Sequence, residues 1–404
     1  MNTQYVQGDC IFTRINKTIK QYEYLTEDID TEVIIVGGGV TGAILGHYFS
    51  KNNINCVILE KSRIGHGSTS ITTSLLQYEL DDNAMELKSY TSIENVIKSY
   101  ELGIKALDEI EEFINEHGNK CDFKRVDSFL YTDKKLEKKE MKEEYYIRKE
   151  ARLPVEFIDE DNNPFLFDVK GGVIGKNGGA VLDPYKFTQQ LIEVSCKQGL
   201  RVYENTEVLD IHYSENDVTV ETVYGYKVKG KIIIAATGYN TGIFTKRAFG
   251  TKTTTFNLAT KPIDNIENIY KNVIIRDNKD PYTYFRTTKD NRIIIGGEDI
   301  NFIPDIYNKE LCNKSYETLE QRLKSLFPNL NIEIEYKYCG AFASTQDNLG
   351  FIGKDPTNSK LWYCLGYGAN GILFAILGGM MLSKLYYGEV DKDINLFKVD
   401  RFDQ

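Results

Sequence analysis

The 404-residue sequence predicts an α/β fold in two parts, a parallel-sheet unit and a mixed-sheet α+β domain. Three observations carry that expectation. Two short β-branched runs, each suited to a strand buried on both faces, flank a helical stretch near the N-terminus. A glycine-rich turn joins the first run to that helix. Farther along, from Thr251 to Asn301, strand-like runs follow one another without a helix between them, the pattern of an antiparallel or mixed sheet.

In chain order, residues 1–31 are mixed and polar and read as an arm leading into the first strand. That strand is Val33 to Val36; Gly42 to Lys51 is helical, and Asn55 to Leu59 is a second buried strand. Gly37, Gly39 and Gly42, with Val40 and Thr41 between the last two, form GxGxxG at the strand-to-helix turn. Gly37 permits the tight turn, Gly39 lets the backbone approach a pyrophosphate and Gly42 brings helix against strand, while the helix N-terminus offers free amides to the phosphates. Glu60 ends the second strand about 20 residues on, where it would accept from ribose hydroxyls. This is a Rossmann-like dinucleotide unit.

From Ile93 to His117 apolar residues recur at helical spacing, and Gly118 ends the helix. Lys134 to Pro154 is a charge-dense helix with both signs interspersed, suited to a solvated face. Asp183 followed by Pro184 is an N-cap and N1 signal for a helix stopping near Gly199. A strand pair follows, then a buried strand, Lys231 to Ala235, that breaks at Thr237 and Gly238. Within the mixed sheet the runs are "TTTFNLATKPI", "NVIIRD", "YTYFRTT" and "RIIIGGED". Tyr316 to Phe327 is an amphipathic helix, and "IEIEYKYCGAF" a strand returning toward the dinucleotide unit.

"LGYGANGILFAILGGMML", Leu365 to Leu382, carries no charged residue. Its glycines at 366, 368 and 371 confine continuous helix to about 13 residues from Asn370, roughly 20 Å, short of a bilayer core. A helix apolar on every side belongs in the middle of a large core. The net charge of −10 argues against nucleic acid and anionic membranes as partners. The N-terminus lacks the apolar core of a secretory signal, so a cytoplasmic location is expected. Seven cysteines without a CxxC pair and four scattered histidines make no legible metal site or disulfide framework.

Seven stretches in order, "VIIVGGGVTGA" with Glu60, "GHGSTSITTS", "GGAVLDPYKF", "IIIAATGYNT", "YFRTTKDNRIIIGGED", "GAFASTQDNLGFIG" and "LGYGANGILFA", resemble the glycine oxidase, sarcosine oxidase and D-amino-acid oxidase superfamily of FAD enzymes, in the branch that contains gamma-glutamylputrescine oxidase. They span about residues 32–382. The resemblance implies an interleaved fold: an arm (1–31), an FAD-binding domain in three parts (32–90, 170–250, 336–404) and a substrate domain in two (91–169, 251–335). It makes Gly67, Ser68, Thr69, Thr73 and Ser74 a second loop facing phosphate and flavin, and adds Lys61, Val208, Ala236, Thr237, Gly238 and Gly340 to the FAD site. Gly368, Asn370, Gly371 and Ile372 complete it, the amides of Gly371 and Ile372 pointing at the edge of the flavin ring.

The chemistry the resemblance implies is removal of a hydride from a carbon bearing nitrogen, delivered to flavin N5, with electrons passing to oxygen or another acceptor. Two departures bear on the substrate. Phe342 and Ala369 stand where the glycine oxidase pattern places basic residues that grip a carboxylate, which favours a small amine or N-alkylated amine over an alpha-amino acid. Arg286 is the alternative carboxylate partner, while Tyr78, Tyr284, Phe342 and Tyr367 suggest an aromatic pocket for an amine or cation. Ile71 occupies the column of the flavin-linking histidine of some relatives, His66 lies on the wrong side, and Gly340 occupies that of a flavin-linking cysteine. Noncovalent FAD is the expectation, with attachment through Cys339 the alternative. A flavin-binding protein without catalysis is the other class of reading.

Overall fold

The computed structural model describes residues 5–17, 20–304, 306–307 and 309–403, so residues 1–4, 18 and 19 of the expected arm lie outside the described part. Three sheets organise the chain. The six-stranded one runs in the order Phe351–Lys354, Leu361–Leu365, Ile232–Ala235, Val33–Val36, Cys56–Leu59, Arg201–Tyr203. All its pairings are parallel except that of Phe351–Lys354. Its central runs, VIIV, CVIL and IIIA, are buried at every position, because helices cover one face and a four-stranded sheet the other.

On the helical face lie Val40–Lys51, Ile93–His117, Pro184–Cys196 and Gly371–Tyr386, joined in one core cluster. Ser92 caps the long helix by accepting from the Asn95 amide, and Gly118 closes it at φ 83° with its amide donating to the Ile114 carbonyl at 2.8 Å. The expected terminal helix is Gly371–Tyr386, buried on nearly every side among Ile352, Cys364, Tyr48 and the long helix. Each large apolar side chain it buries contributes about 1.5–3 kcal/mol, which explains its lack of a polar face.

The second layer is a ten-stranded sheet, in the order Val6–Gly8, Ile334–Ser344, Thr251–Thr260, Ile293–Asn301, Thr283–Thr287, Val273–Asp277, Lys124–Thr132, Gly171–Val181, Leu75–Gln77, with Val155–Ile158 paired to Gly171–Val181. Strand residues alternate between its faces. Phe256, Leu258, Ile275, Phe285, Ile295 and Cys339 point to one face, where the helix Glu310–Leu326 packs through Cys312, Tyr316 and Leu319. Their neighbours in sequence point to the other face, toward the parallel sheet.

Three readings change. The N-terminal arm is no mere lead-in: Val6–Gly8 pairs with the edge of the ten-stranded sheet, and Cys10, Ile11 and Phe12 are buried behind it. The charge-dense stretch forms Lys138–Glu150, but Met141, Glu144 and Arg148 are buried, so this face is not simply solvated. Gly171–Val181 and most of Ile334–Ser344 are strands of the large sheet, although the sequence boundaries at 170 and 336 group them with the dinucleotide unit.

Candidate functional site

A cavity of about 630 Å³ lies between the two layers, within the ~300–1,000 Å³ usual for cofactor and ligand sites. It opens at the C-terminal ends of the parallel strands, where Val36, Leu59 and Ala236 reach it, the place at which open α/β sheets bind ligands. The glycine turn forms part of its floor. Gly37 holds φ at 111°, and a side chain there would strike the Ala236 carbonyl at 2.5 Å; a side chain on Gly42 would strike the Gly37 carbonyl. The helix can therefore begin directly beneath the cavity.

Its first amides are disposed for an anion. That of Val40 donates to Thr69 Oγ1 at 2.9 Å, and those of Thr41 and Gly42 have no acceptor among the described residues. Glu60 accepts from the amides of Gly38 at 2.6 Å and Ser62 at 2.8 Å, which fixes the carboxylate at the cavity wall. Burial pushes its carboxyl above the ordinary value, although those two amides favour the charge. The Thr237 hydroxyl lines the cavity without a hydrogen-bond partner among the described residues. A second helix N-terminus arrives from the opposite strand, with Gly371 and Ile372 on the wall and Asn370 supplying no side-chain cap. Orphaned donors, two uncapped helix ends and a fixed acid fit a dinucleotide.

The roof comes from the ten-stranded sheet. Arg276 pairs with Tyr284, Tyr284 with Gly296, and Gly296 with Asn257, which places Arg276, Tyr284 and Asn257 in one row across the sheet. Gly296 is required there, because a side chain would meet the Tyr284 ring at 2.5 Å. Beside this row, Thr255 exchanges a hydrogen bond with the Tyr284 hydroxyl at 3.3 Å, and Phe342 and Tyr282 complete the lining. Behind Thr255 lies Asp299, its carboxyl pushed up to about 6 by burial and by the nearby Asp81 and Glu298, against the favourable Thr255 hydroxyl.

Of the expected cofactor residues, Gly37, Gly39, Val40, Thr41, Glu60 and Lys61 line the cavity, as do Gly67, Ser68, Thr69, Thr73, Val208, Ala236, Thr237 and Gly238. Gly368, Gly371 and Ile372 join them from the C-terminal segment, and Tyr284 and Phe342 from the expected pocket. Gly42, Ser74, Gly340 and Asn370 stand behind the wall. Asn370 donates to the Glu79 carbonyl at 2.7 Å, and Gly340 packs on Ile71 and the Tyr5 carbonyl.

Three pocket candidates lie elsewhere. Tyr78 is buried against Arg148 and Tyr100. Tyr367 donates to the Gly238 carbonyl at 3.2 Å and packs on Phe351. Arg286 lies past the end of the cavity, donating to the carbonyls of Thr73 at 2.5 Å and Leu182 at 2.9 Å with its guanidinium over Phe12. Burial pushes that guanidinium down to about 10. Residues the sequence reading passed over are Asp81, Arg276, Thr255, Asn257, Tyr239, Tyr282 and the arm's Tyr5 and Val6. Tyr282 and Thr255 had a signal, since each stands two residues before Tyr284 or Asn257, the spacing that shares a face in extended chain. Cys339 points to the opposite face, buried beside Cys312 and Tyr316.

Among the described residues no helix is long and apolar enough to cross a membrane, and no group of side chains forms a metal site. The chain is 25% identical to gamma-glutamylputrescine oxidoreductase of Escherichia coli over 92% of its own length and 87% of that protein. It is 22% identical to glycine oxidase of Bacillus subtilis, covering 92% of itself and 97% of that enzyme. Its fold matches the crystal structure of glycine oxidase from Geobacillus kaustophilus with a TM-score of 0.78 at 19% identity, over 92% of this chain and 99% of the other. The DAO family description, FAD dependent oxidoreductase, matches residues 32–385. With that match over most of its length, the chain belongs to the DAO family of FAD dependent oxidoreductases.

Proposed function

We propose that the protein oxidises a C–N bond of a small amine or N-alkylated amine, with the FAD held noncovalently. The observation that carries this reading is the chamber at the roof end of the cavity. Tyr282, Tyr284 and Phe342 line it, Ala369 and Phe342 present no charge, and Asp81 supplies a carboxylate. Relatives named for gamma-glutamylputrescine and glycine support a nitrogen-bearing substrate. Arg286 does not serve the amino-acid alternative, because backbone carbonyls and Phe12 occupy it outside the cavity.

Glu60, the amides following Gly39, the Thr237 hydroxyl and the Gly371 helix end would hold the FAD. Bound FAD supplies the acceptor for a hydride leaving the carbon beside the substrate nitrogen, and the electrons then pass to oxygen or another acceptor. The residues of the chain have three tasks. Phe342, Ile71 and Val6 exclude water with apolar surface. Tyr282 and Tyr284 place the amine against the ring faces. Tyr284 and Thr255, joined at 3.3 Å, lead toward Asp299 and give an arriving ammonium a route to lose its proton, which it must do before its lone pair can assist hydride loss.

Anaerobic mixing with a panel of amines and amino acids tests this. Carboxylate-free amines are expected to bleach the flavin faster than glycine or D-alanine. Faster bleaching by the amino acids would overturn the amine reading, and a flavin that no member of the panel bleaches would overturn catalysis.

A further inference from the structure

Asp81 follows the edge strand Leu75–Gln77 and reaches the cavity beside Ala369. Its Oδ2 accepts from the Ala369 amide at 3.0 Å, while its Oδ1 is buried without a partner at hydrogen-bond geometry among the described residues, the Tyr282 hydroxyl being close enough to favour the charge. Arg276 is the neighbouring cation, but it donates to the main-chain carbonyl of Asp81 and lies over the Tyr282 ring at 5.7 Å. It therefore fixes the loop and offsets part of the carboxylate's charge through space, without hydrogen-bonding either carboxylate oxygen. The loop is held on its other side too: the Asp82 amide donates to Asn348 Oδ1 at 3.1 Å, and Asn348 Nδ2 donates back to Asp82 Oδ2 at 2.9 Å. The backbone carrying Asp81 is held from both sides.

The groups facing it are Tyr239, Tyr282 and Tyr284, with Asp299 behind Thr255. Glu298 is occupied by Arg322 at 2.7 Å. Against the one guanidinium of Arg276, Asp81 and Asp299 leave an excess of negative charge, framed by aromatic rings whose faces attract cations. An under-bonded carboxylate in such a chamber is costly unless a cation completes it.

That cation is not the reacting nitrogen. A carboxylate beside the reacting amine would stabilise its ammonium form, and an ammonium has no lone pair with which to expel a hydride. We infer that Asp81 binds a second, non-reacting cationic group, so that the preferred substrate is an amine carrying an ammonium or quaternary nitrogen remote from the C–N bond being oxidised. The inference rests on the amine-oxidation reading and narrows it to diamine-like substrates.

Two measurements on the FAD-loaded protein test it. In anaerobic flavin reduction, a short series of α,ω-diaminoalkanes is compared with n-alkylamines of equal length. The apparent Kd is expected to be at least about tenfold lower for the diamines, and Asp81→Asn, which keeps an acceptor for the Ala369 amide, is expected to shrink that ratio to about twofold. In calorimetry on the wild-type protein, choline is expected to bind at least about tenfold more tightly than its neutral carbon isostere 3,3-dimethyl-1-butanol. Amines that bleach the flavin with no preference for the diamine, or a preference that survives Asp81→Asn, would overturn the inference and leave amine oxidation standing. Equal affinity for choline and its isostere would also overturn it. A choline preference in a protein whose flavin no amine bleaches would retain the cation site and overturn the oxidation.

Discussion

The carboxyl of Asp299 sits where the ladder between Thr251–Thr260 and Ile293–Asn301 shifts register, next to Glu298 at φ 57°. That irregularity turns an acid inward among Asp81, Tyr282 and Tyr284, and one of its oxygens finds no partner among the described residues. Its carboxyl is raised from 3.8 to about 6, so between those values the folded chain keeps a proton that the unfolded chain has released. Stability contributed by this group therefore falls as pH rises through that window, and the cost is full at neutral pH. Asp299→Asn removes the titration. Its advantage over wild type in urea unfolding is expected to grow by about 1 kcal/mol between about pH 5 and about pH 7.5. A difference between the two proteins that stays the same at both pH values would contradict a raised carboxyl.

At the scale of elements, the helix Lys138–Glu150 is bolted to the site by a buried charge network. Arg148 is fully buried and donates to Glu79 at 2.8 Å and Glu144 at 2.6 Å. Glu144 also accepts from the Ala84 amide at 2.8 Å, and the Glu79 carbonyl accepts from Asn370, the N-cap residue of the terminal helix. Arg148→Met leaves two buried carboxylates without their cation and is expected to cost about 3–5 kcal/mol in urea unfolding. Adding Glu79→Gln and Glu144→Gln should recover a large part of that loss, because the stranded charges go with it. A single variant as stable as wild type would remove the network from the account. The same helix shows what the sequence could and could not tell. The parallel strands and their glycine turn were legible because burial on both faces and a tight turn leave local signatures. Arg148 was not, since its partners lie 69 and 4 residues away and only the fold brings the distant one to it. Arg276 and Asp81 escaped for the same reason. Arg286, two residues along the strand from Tyr284, faces the same side, but where the cavity ends is set by Thr73 and Leu182.

At the scale of the whole molecule, the cavity is the seam between two layers that hold separate apolar cores. Its floor comes from the parallel sheet and its roof from the ten-stranded one, so a ligand filling it touches both and stabilises their union. Binding to the folded state alone adds about 1.4 kcal/mol for each tenfold of free ligand above Kd, or about 2.7 kcal/mol at a hundredfold excess. The Tm of the flavin-free protein is therefore expected to rise steadily with added FAD, which requires that the cofactor exchange. Three residues argue that it does. Ile71 on the cavity wall offers no nucleophile, and Gly340 has no side chain. Cys339 lies on the far face of the sheet, where hydrogen bonding to Cys312 and burial push its thiol up. Acid precipitation of the FAD-loaded protein is expected to release all the flavin to the supernatant, and Cys339→Ser should change neither that result nor the FAD-dependence of Tm. Yellow colour retained in the washed pellet and lost in Cys339→Ser would mean that the strand Ile334–Ser344 turns its other face to the cavity, and the roof register would be wrong as well.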